Sequence, residues 1–288
     1  MKKYIKLLAV AVTVLLLTGC FKRDEMENIN VITTTYPIEY ITSRIYGDYA
    51  NISSIYPKGT IADEYEMTNK QIKDYSKKDL FIYNGLGNEK EYAIKFLNNN
   101  KKLKIIDCSF GINYNDSEKE LWLNPSNALM ISQNIRNDIE NYITNKKLIE
   151  NIDIAYNNLK VDITQIDTEF TRTADSSLNT QIIVYDESFN FLKKYGFEVI
   201  NLTKNKEVLS KNVATAQSLL ASKKLSYIFI DSNMEIPETV KTLQDKTKCE
   251  VLKLNTLTTI SDEDLNNNED YLSIMYNNIE QIKKETYQ

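Results

Sequence analysis

The chain has 288 residues, 42% of them hydrophobic, enough for one large domain or two lobes around a sizeable core. With 35 basic against 40 acidic residues it has a formal charge of −5, which excludes the broad basic footprint of a nucleic-acid-binding protein. It contains no histidine, which removes the commonest general base and the commonest nitrogen ligand for metals.

Lys2, Lys3 and Lys6 precede an apolar run from Leu7 to Leu17, and Leu17-Thr18-Gly19-Cys20 closes it. A basic start, an apolar middle and small residues before a cleavage point are the plan of an export signal. The run of roughly 11 residues is too short for a helix across a bilayer of about 30 Å, which needs about 20. Leucine, two small residues and cysteine match the lipobox of bacterial lipoproteins. Residues 1–19 are therefore expected to be removed and Cys20 to carry the lipid, and two or more acyl chains on one cysteine give stable attachment. Processing leaves 32 basic against 40 acidic residues, a formal charge of −8. The expected product is an extracytoplasmic monomer held to the outer face of the cell membrane. Residues 20–29, largely charged and polar, are expected to form a flexible tether.

Strand-like apolar segments follow at Asn30–Thr34, Asn51–Tyr56, Leu80–Tyr83 and Leu103–Asp107, with helical spacing at Ile38–Tyr46 and Asn69–Ser76 between them. The alternation predicts βα units and a parallel sheet. Pro125–Ile143 reads as a helix, with Pro125 suited to its first turn. In the next segment Leu148, Ile152, Tyr156, Leu159, Ile163, Ile166 and Phe170 recur at steps of three or four over more than six turns. That length exceeds the usual helix of about 11–12 residues, and the repeat covers too few heptads for a partner-binding coiled coil. It predicts one rigid helix, residues 146–175, bridging two lobes at 30–145 and 176–288. The second lobe repeats the alternation, with strands at Gln181–Tyr185, Glu198–Leu202, Tyr227–Ile230 and Glu250–Leu254 and helices at Glu187–Tyr195, Lys211–Ser222 and Glu238–Lys246. The fold class expected is α/β, two βα lobes with parallel sheets joined by one long helix.

Catalytic motifs are not evident. The chain has no glycine-rich phosphate loop, Cys-x-x-Cys pair or serine-nucleophile motif. Paired carboxylates at about 5–10 Å serve glycoside hydrolases, but the single tryptophan, Trp122, is expected to pack in the core rather than hold a sugar. The reading is a non-enzyme. Cys108 and Cys249 form an even pair in an oxidising compartment. They lie beside strands of different lobes, and a staple there would stop the lobes moving, so they are expected to stay unpaired.

Seven segments taken in order carry a resemblance: Val31-Ile-Thr-Thr-Thr-Tyr-Pro37, Tyr56-Pro-Lys-Gly59, Asp63-Glu-Tyr-Glu-Met-Thr68, Asp79-Leu-Phe-Ile-Tyr-Asn-Gly-Leu-Gly87, Leu121-Trp-Leu-Asn-Pro125, Ser188-Phe-Asn-Phe-Leu-Lys-Lys-Tyr-Gly196 and Tyr271-Leu-Ser-Ile-Met-Tyr-Asn-Asn278. The chain thereby resembles the metal-binding lipoproteins that feed zinc and manganese ABC importers. Each segment alone is weak; together they span nearly the whole mature chain. The resemblance implies two α/β lobes with a metal cleft between them, and a transported divalent cation, manganese or zinc. It also implies delivery to an ABC permease in the membrane.

The family's ligand positions hold other residues here. Where the family has histidine two residues before the tyrosine of its Tyr-Glu pair, this chain has Asp63. Where histidine stands two residues before the tryptophan, it has Glu120. The third ligand position, three residues before the second lobe's phenylalanine, is Asp186, and the fourth falls near Asn255. Asp231, at a strand end, is an alternative fourth ligand, and Glu64, Glu66 and Glu187 stand close enough in sequence to substitute. Every expected imidazole is replaced by a carboxylate. An all-oxygen shell suits a hard cation such as Mn²⁺, Mg²⁺ or Ca²⁺ better than zinc, although carboxylates also ligate zinc. The competing reading is a family member that has lost metal capture and serves as a surface interaction or adhesion lipoprotein.

Overall fold

The computed structural model describes residues 23–60, 62, 65–113, 120–203 and 206–288. Cys20 and Asp63 lie outside them.

The first lobe runs β1 (Ile29–Thr33), α1 (Tyr36–Tyr46), β2 (Ala50–Ser54), α2 (Asn69–Tyr75), β3 (Leu80–Tyr83), α3 (Glu89–Asn99) and β4 (Lys104–Asp107). A 3₁₀ turn at Leu121–Leu123 leads into α4 (Pro125–Glu140) and the long helix α5 (Lys146–Asp175). The second lobe contains β5 (Gln181–Val184), a 3₁₀ helix at Glu187–Tyr195, β6 (Glu198–Asn201), α6 (Lys206–Ala221), β7 (Tyr227–Asp231) and α7 (Glu238–Thr247). It ends with β8 (Glu250–Leu254), α8 (Asp262–Asn266) and α9 (Tyr271–Thr286).

Both sheets are four-stranded and parallel, ordered β2-β1-β3-β4 and β6-β5-β7-β8. Val31 lies opposite Ile52 on one side and Leu80 on the other, so β1 is central. Strands covered by helices on both faces need continuous apolar runs. Leu80–Tyr83 is buried at every position, whereas edge strand β2 alternates half-buried and exposed residues.

Helix α5 is 30 residues long, about 45 Å at 1.5 Å per residue. It starts where Asn145 accepts hydrogen bonds from the N–H groups of Lys147 at 2.9 Å and Leu148 at 3.4 Å. Its buried stripe is the seven-residue series from Leu148 to Phe170 extended by Thr173 and Ala174, and it packs against α1 and α4 of one lobe and α9 of the other. The main core runs without a break from Val31 and Leu80 through Trp122 and Ile163 to Phe189, Leu254 and Tyr271. Smaller apolar clusters fill the outer face of each sheet.

Three expectations need correction. The tether does not extend to residue 29, because Asp24 and Met26 are buried. The Asp24 carboxylate accepts hydrogen bonds from the Thr144 N–H and Asn145 N–H, each at 2.8 Å, and from the Thr144 hydroxyl at 2.9 Å. Residues 187–195 form a 3₁₀ helix rather than an α-helix. Asp186 caps the start by accepting from the Ser188 N–H, the Ser188 and Asn190 side chains are drawn to Glu120 and Asn201, and Gly196, at φ 100°, ends the segment. Helices α3, α8 and α9 add to the elements read from periodicity. Cys108 and Cys249 are both buried and unpaired.

Candidate metal site at the seam of the lobes

In open parallel sheets, ligands gather beyond the carboxyl ends of the strands. Asp186 stands two residues beyond the end of β5, Asp231 is the last residue of β7, and Asn255 directly follows β8. Glu120 comes from the other lobe, immediately before the buried 3₁₀ turn Leu121–Leu123.

Two hydrogen bonds fix that turn across the seam. The Trp122 indole N–H donates to the Thr256 main-chain oxygen at 2.8 Å, and the Tyr271 hydroxyl donates to the Trp122 main-chain oxygen at 2.6 Å. Trp122 is therefore core, as its buried ring requires, and also a tie between lobes.

Glu120 reaches the second lobe directly, accepting a hydrogen bond from the Ser188 hydroxyl. The Ser188 N–H donates to the Asp186 carboxylate at 2.7 Å, so one serine bridges the two acids. Asp231 accepts from the Thr256 hydroxyl at 2.9 Å and the Asn233 N–H at 3.0 Å.

The electrostatics of these acids are coupled. Burial pushes the Glu120 carboxyl above its ordinary range; the Ser188 bond pulls it down, and Asp186 and Asp231 push it further up. Burial also raises Asp231, opposed by its bonds from Asn233 and Thr256 and reinforced by Asp186. The structure thus brings Glu120, Asp186 and Asp231 to one seam, where the charge of Asp186 adds to the rise at Glu120 and Asp231. They do not form a closed cage: among the described residues, no three His, Cys, Asp or Glu side chains group closely enough to hold a metal ion.

The other sequence candidates stand differently. The Asn255 side-chain oxygen accepts from the Leu257 N–H at 2.7 Å, and its main chain exchanges two 2.8 Å bonds with Asn278. Its amide therefore holds a turn. Asp63 and Glu64 are outside the described residues, Glu66 is exposed, and Glu187 is half-buried at the start of the 3₁₀ helix. Ser188 and Thr256, which orient the acids, carry no sequence signal as ligands; their position beyond strand ends was the available clue.

The family model described as ZnuA, zinc-uptake complex component A, periplasmic, matches residues 31–285. The chain is 24% identical to the zinc-binding lipoprotein AdcA of Streptococcus pneumoniae over 313 residues, covering 99% of this chain and 62% of that protein. It thus spans less than two thirds of that relative's length. It is 27% identical to the manganese ABC transporter substrate-binding lipoprotein PsaA of Streptococcus anginosus, covering 98% of each. Its fold matches the Zn(II)-bound ZnuA-like domain of S. pneumoniae AdcA with a TM-score of 0.75 at 21% identity, over 91% of this chain and 100% of that one.

Proposed function

The chain belongs to the zinc-uptake complex component A family, and from that membership we propose that it captures a divalent metal cation outside the cytoplasm and passes it to the permease of an ABC importer. Members of the family are transport components rather than enzymes. The observation that carries the reading is the match of residues 31–285 to the zinc-uptake family model, with Glu120 and Asp186 joined through Ser188 at the seam of a chain without histidine. Neighbouring carboxylates in a partly buried crevice are stabilised when a cation sits among them.

The ligand set we favour is Asp63, Glu120 and Asp186, with Asp231 in fourth place. Asn255 is the weaker fourth ligand because its side-chain oxygen is engaged by Leu257. Carboxylate oxygens suit manganese and other hard cations better than zinc. The relatives' names include both metals, zinc for AdcA and manganese for PsaA. The lipobox supports attachment to the membrane through Cys20.

The test is calorimetric titration of the mature chain with Mn²⁺, Zn²⁺, Ca²⁺ and Mg²⁺, beside elemental analysis of protein purified without chelator. One cation should bind with unit stoichiometry, and Glu120→Gln and Asp186→Asn should each weaken it. Flat titrations with all four cations would overturn metal capture and leave the surface-interaction reading. Tight zinc binding that survives Glu120→Gln and Asp186→Asn but vanishes on loss of Cys108 would overturn the ligand set.

A further inference from the structure

The strands of a parallel sheet all start at one edge, so the turns that precede β1, β2, β3 and β4 form a single rim on the first lobe. Main-chain bonds join those turns side by side. The Asn28 N–H donates to the Tyr49 oxygen at 2.7 Å, the Asp79 N–H to the Asn30 oxygen at 3.0 Å, and the Lys104 N–H to the Asp79 oxygen at 3.2 Å. Helix α4, 16 residues and about 24 Å long, separates this rim, at Tyr142, from Glu120 at the seam.

The chain enters the fold at the rim. Asp24 is buried and gripped by Thr144 and Asn145, and Cys20 stands only four residues before it, at most about 14 Å away when fully extended. A lipid on Cys20 therefore keeps the rim close to the headgroups.

Charge on the rim is uneven. Glu25, Glu27 and Asp48 stand in its β1–β2 half, whereas Lys77, Lys78, Lys101, Lys102 and Lys104 stand in its β3–β4 half. The acids beside those lysines are engaged: Asp74 pairs with Lys77 at 2.8 Å, and Asp79 accepts from the Asn30 N–H at 2.7 Å. Lysine is common after helix C-termini, but here two such turns are bound edge to edge, because the Asn100 amide donates to the Ser76 oxygen at 2.8 Å. The Lys104 ammonium lies 5.7 Å from the centre of the exposed Tyr142 ring, two residues from the threonine that grips Asp24.

We infer that the β3–β4 corner of the rim is a docking surface for the anionic headgroups of the membrane that holds the anchor. Basic side chains beside a membrane attachment point are drawn to anionic lipid, and an exposed tyrosine settles at headgroup level. The rest of a chain with formal charge −8 is repelled, so the corner selects one orientation. In that pose α4 lifts Glu120 more than two Debye lengths, each about 8–10 Å, from headgroups that would compete for its cation. The inference rests on the anchor at Cys20 and is independent of which metal is captured.

The test couples the mature chain through the Cys20 thiol to a maleimide lipid in phosphatidylcholine vesicles with or without phosphatidylglycerol, Cys108 and Cys249 being buried. Acetylation of individual lysines is followed by mass spectrometry. At about 0.1 M salt, Lys77, Lys101 and Lys102 should react several-fold more slowly on phosphatidylglycerol vesicles, while exposed Lys211 and Lys241 of the second lobe should not change. Salt at about 1 M, where the Debye length is about 3 Å, should abolish the difference. The double variant Lys78→Gln and Lys102→Gln should lose most of the protection at Lys77 and Lys101. Equal rates on both vesicles, equal protection of the second lobe, or the same protection on phosphatidylcholine from dissolved inorganic phosphate would each overturn the inference. Coupling supplies the anchor chemically, so such a result counts against the rim alone. Wild-type cells that incorporate no fatty-acid label would instead refute the anchor, and with it the membrane as partner.

Discussion

Trp122 donates its indole N–H to the main-chain oxygen of Thr256, and the hydroxyl of the same Thr256 donates to Asp231. A ring of the first lobe thus fixes the residue that orients an acid of the second. Trp122→Phe removes the donor and leaves a buried carbonyl unpaired, so it should destabilise the protein by about 1–3 kcal/mol in urea melts. If the tie also positions Asp231, cation affinity should fall as well, and Thr256→Val should weaken the cation while leaving the indole bond intact.

Glu120→Gln should separate repulsion from capture. In the metal-free protein the substitution removes a charge facing Asp186 and Asp231, so stability should be unchanged or higher. With the captured cation at 100 times its dissociation constant, the wild type should gain about 2.7 kcal/mol, a rise of several degrees in Tm, and the variant much less. Thermal melts across a cation panel measure both; equal shifts in the two proteins would remove Glu120 from the site.

The same acids predict a pH dependence. Burial and the neighbouring Asp186 hold Glu120 and Asp231 above the ordinary carboxylate range, so the folded state binds their protons more tightly than the unfolded chain does. Metal-free stability should therefore decline as pH rises from the ordinary carboxylate range through the raised folded values. The stabilisation brought by a cation should grow over the same interval, because protons compete for its ligands. Glu120→Gln should flatten both slopes in melts recorded as a function of pH.

Asp24→Ala should be strongly destabilising for a residue so near the start of the fold. Burial raises its carboxyl, but bonds from Met26, Thr144 and Asn145 outweigh that and hold it below the ordinary range. Losing them strands the buried Met26 N–H, at about 1–3 kcal/mol, and leaves the Thr144 and Asn145 N–H groups at the entry to α5 to solvent. The wild type should lose this contribution as pH falls through the depressed value, a loss that the variant cannot show.

Cys20→Ala should abolish lipid attachment and either release the protein to the medium or leave the precursor unprocessed. Fatty-acid labelling of cells carrying the variant checks this, and continued labelling would contradict it.

Much of the fold was legible because its signals are local. The apolar series from Leu148 to Phe170 defined α5 by its own spacing, and all eight strands lie within a residue or two of their apolar runs. Helix α3 was harder, since Tyr92, Ala93 and Phe96 make a narrow stripe in an otherwise polar segment. Asp24 read as part of a tether because its partners lie 120 and 121 residues away. At the site, a strand end pointed to Asp231, whereas Glu120 and Asp186 were named from the family resemblance. No pattern could disclose that Ser188 would meet Glu120 across 68 residues or that Asn255 would spend its oxygen on Leu257.

The unbroken core has a consequence for the molecule as a material object. The breaks at 145 and 175 are topological and not thermodynamic, because Leu148, Ile163 and Phe170 belong to the same apolar cluster as Val31 and Leu254. Neither half owns a complete interior, so either half expressed alone exposes the flank that α5 and its neighbour should cover. The whole should melt as one cooperative unit, with a single calorimetric peak rather than two. Any discrimination between cargoes must then come from small adjustments of side chains and strand-end loops. A jaw-like swing of the lobes would open the very interior that keeps the chain folded.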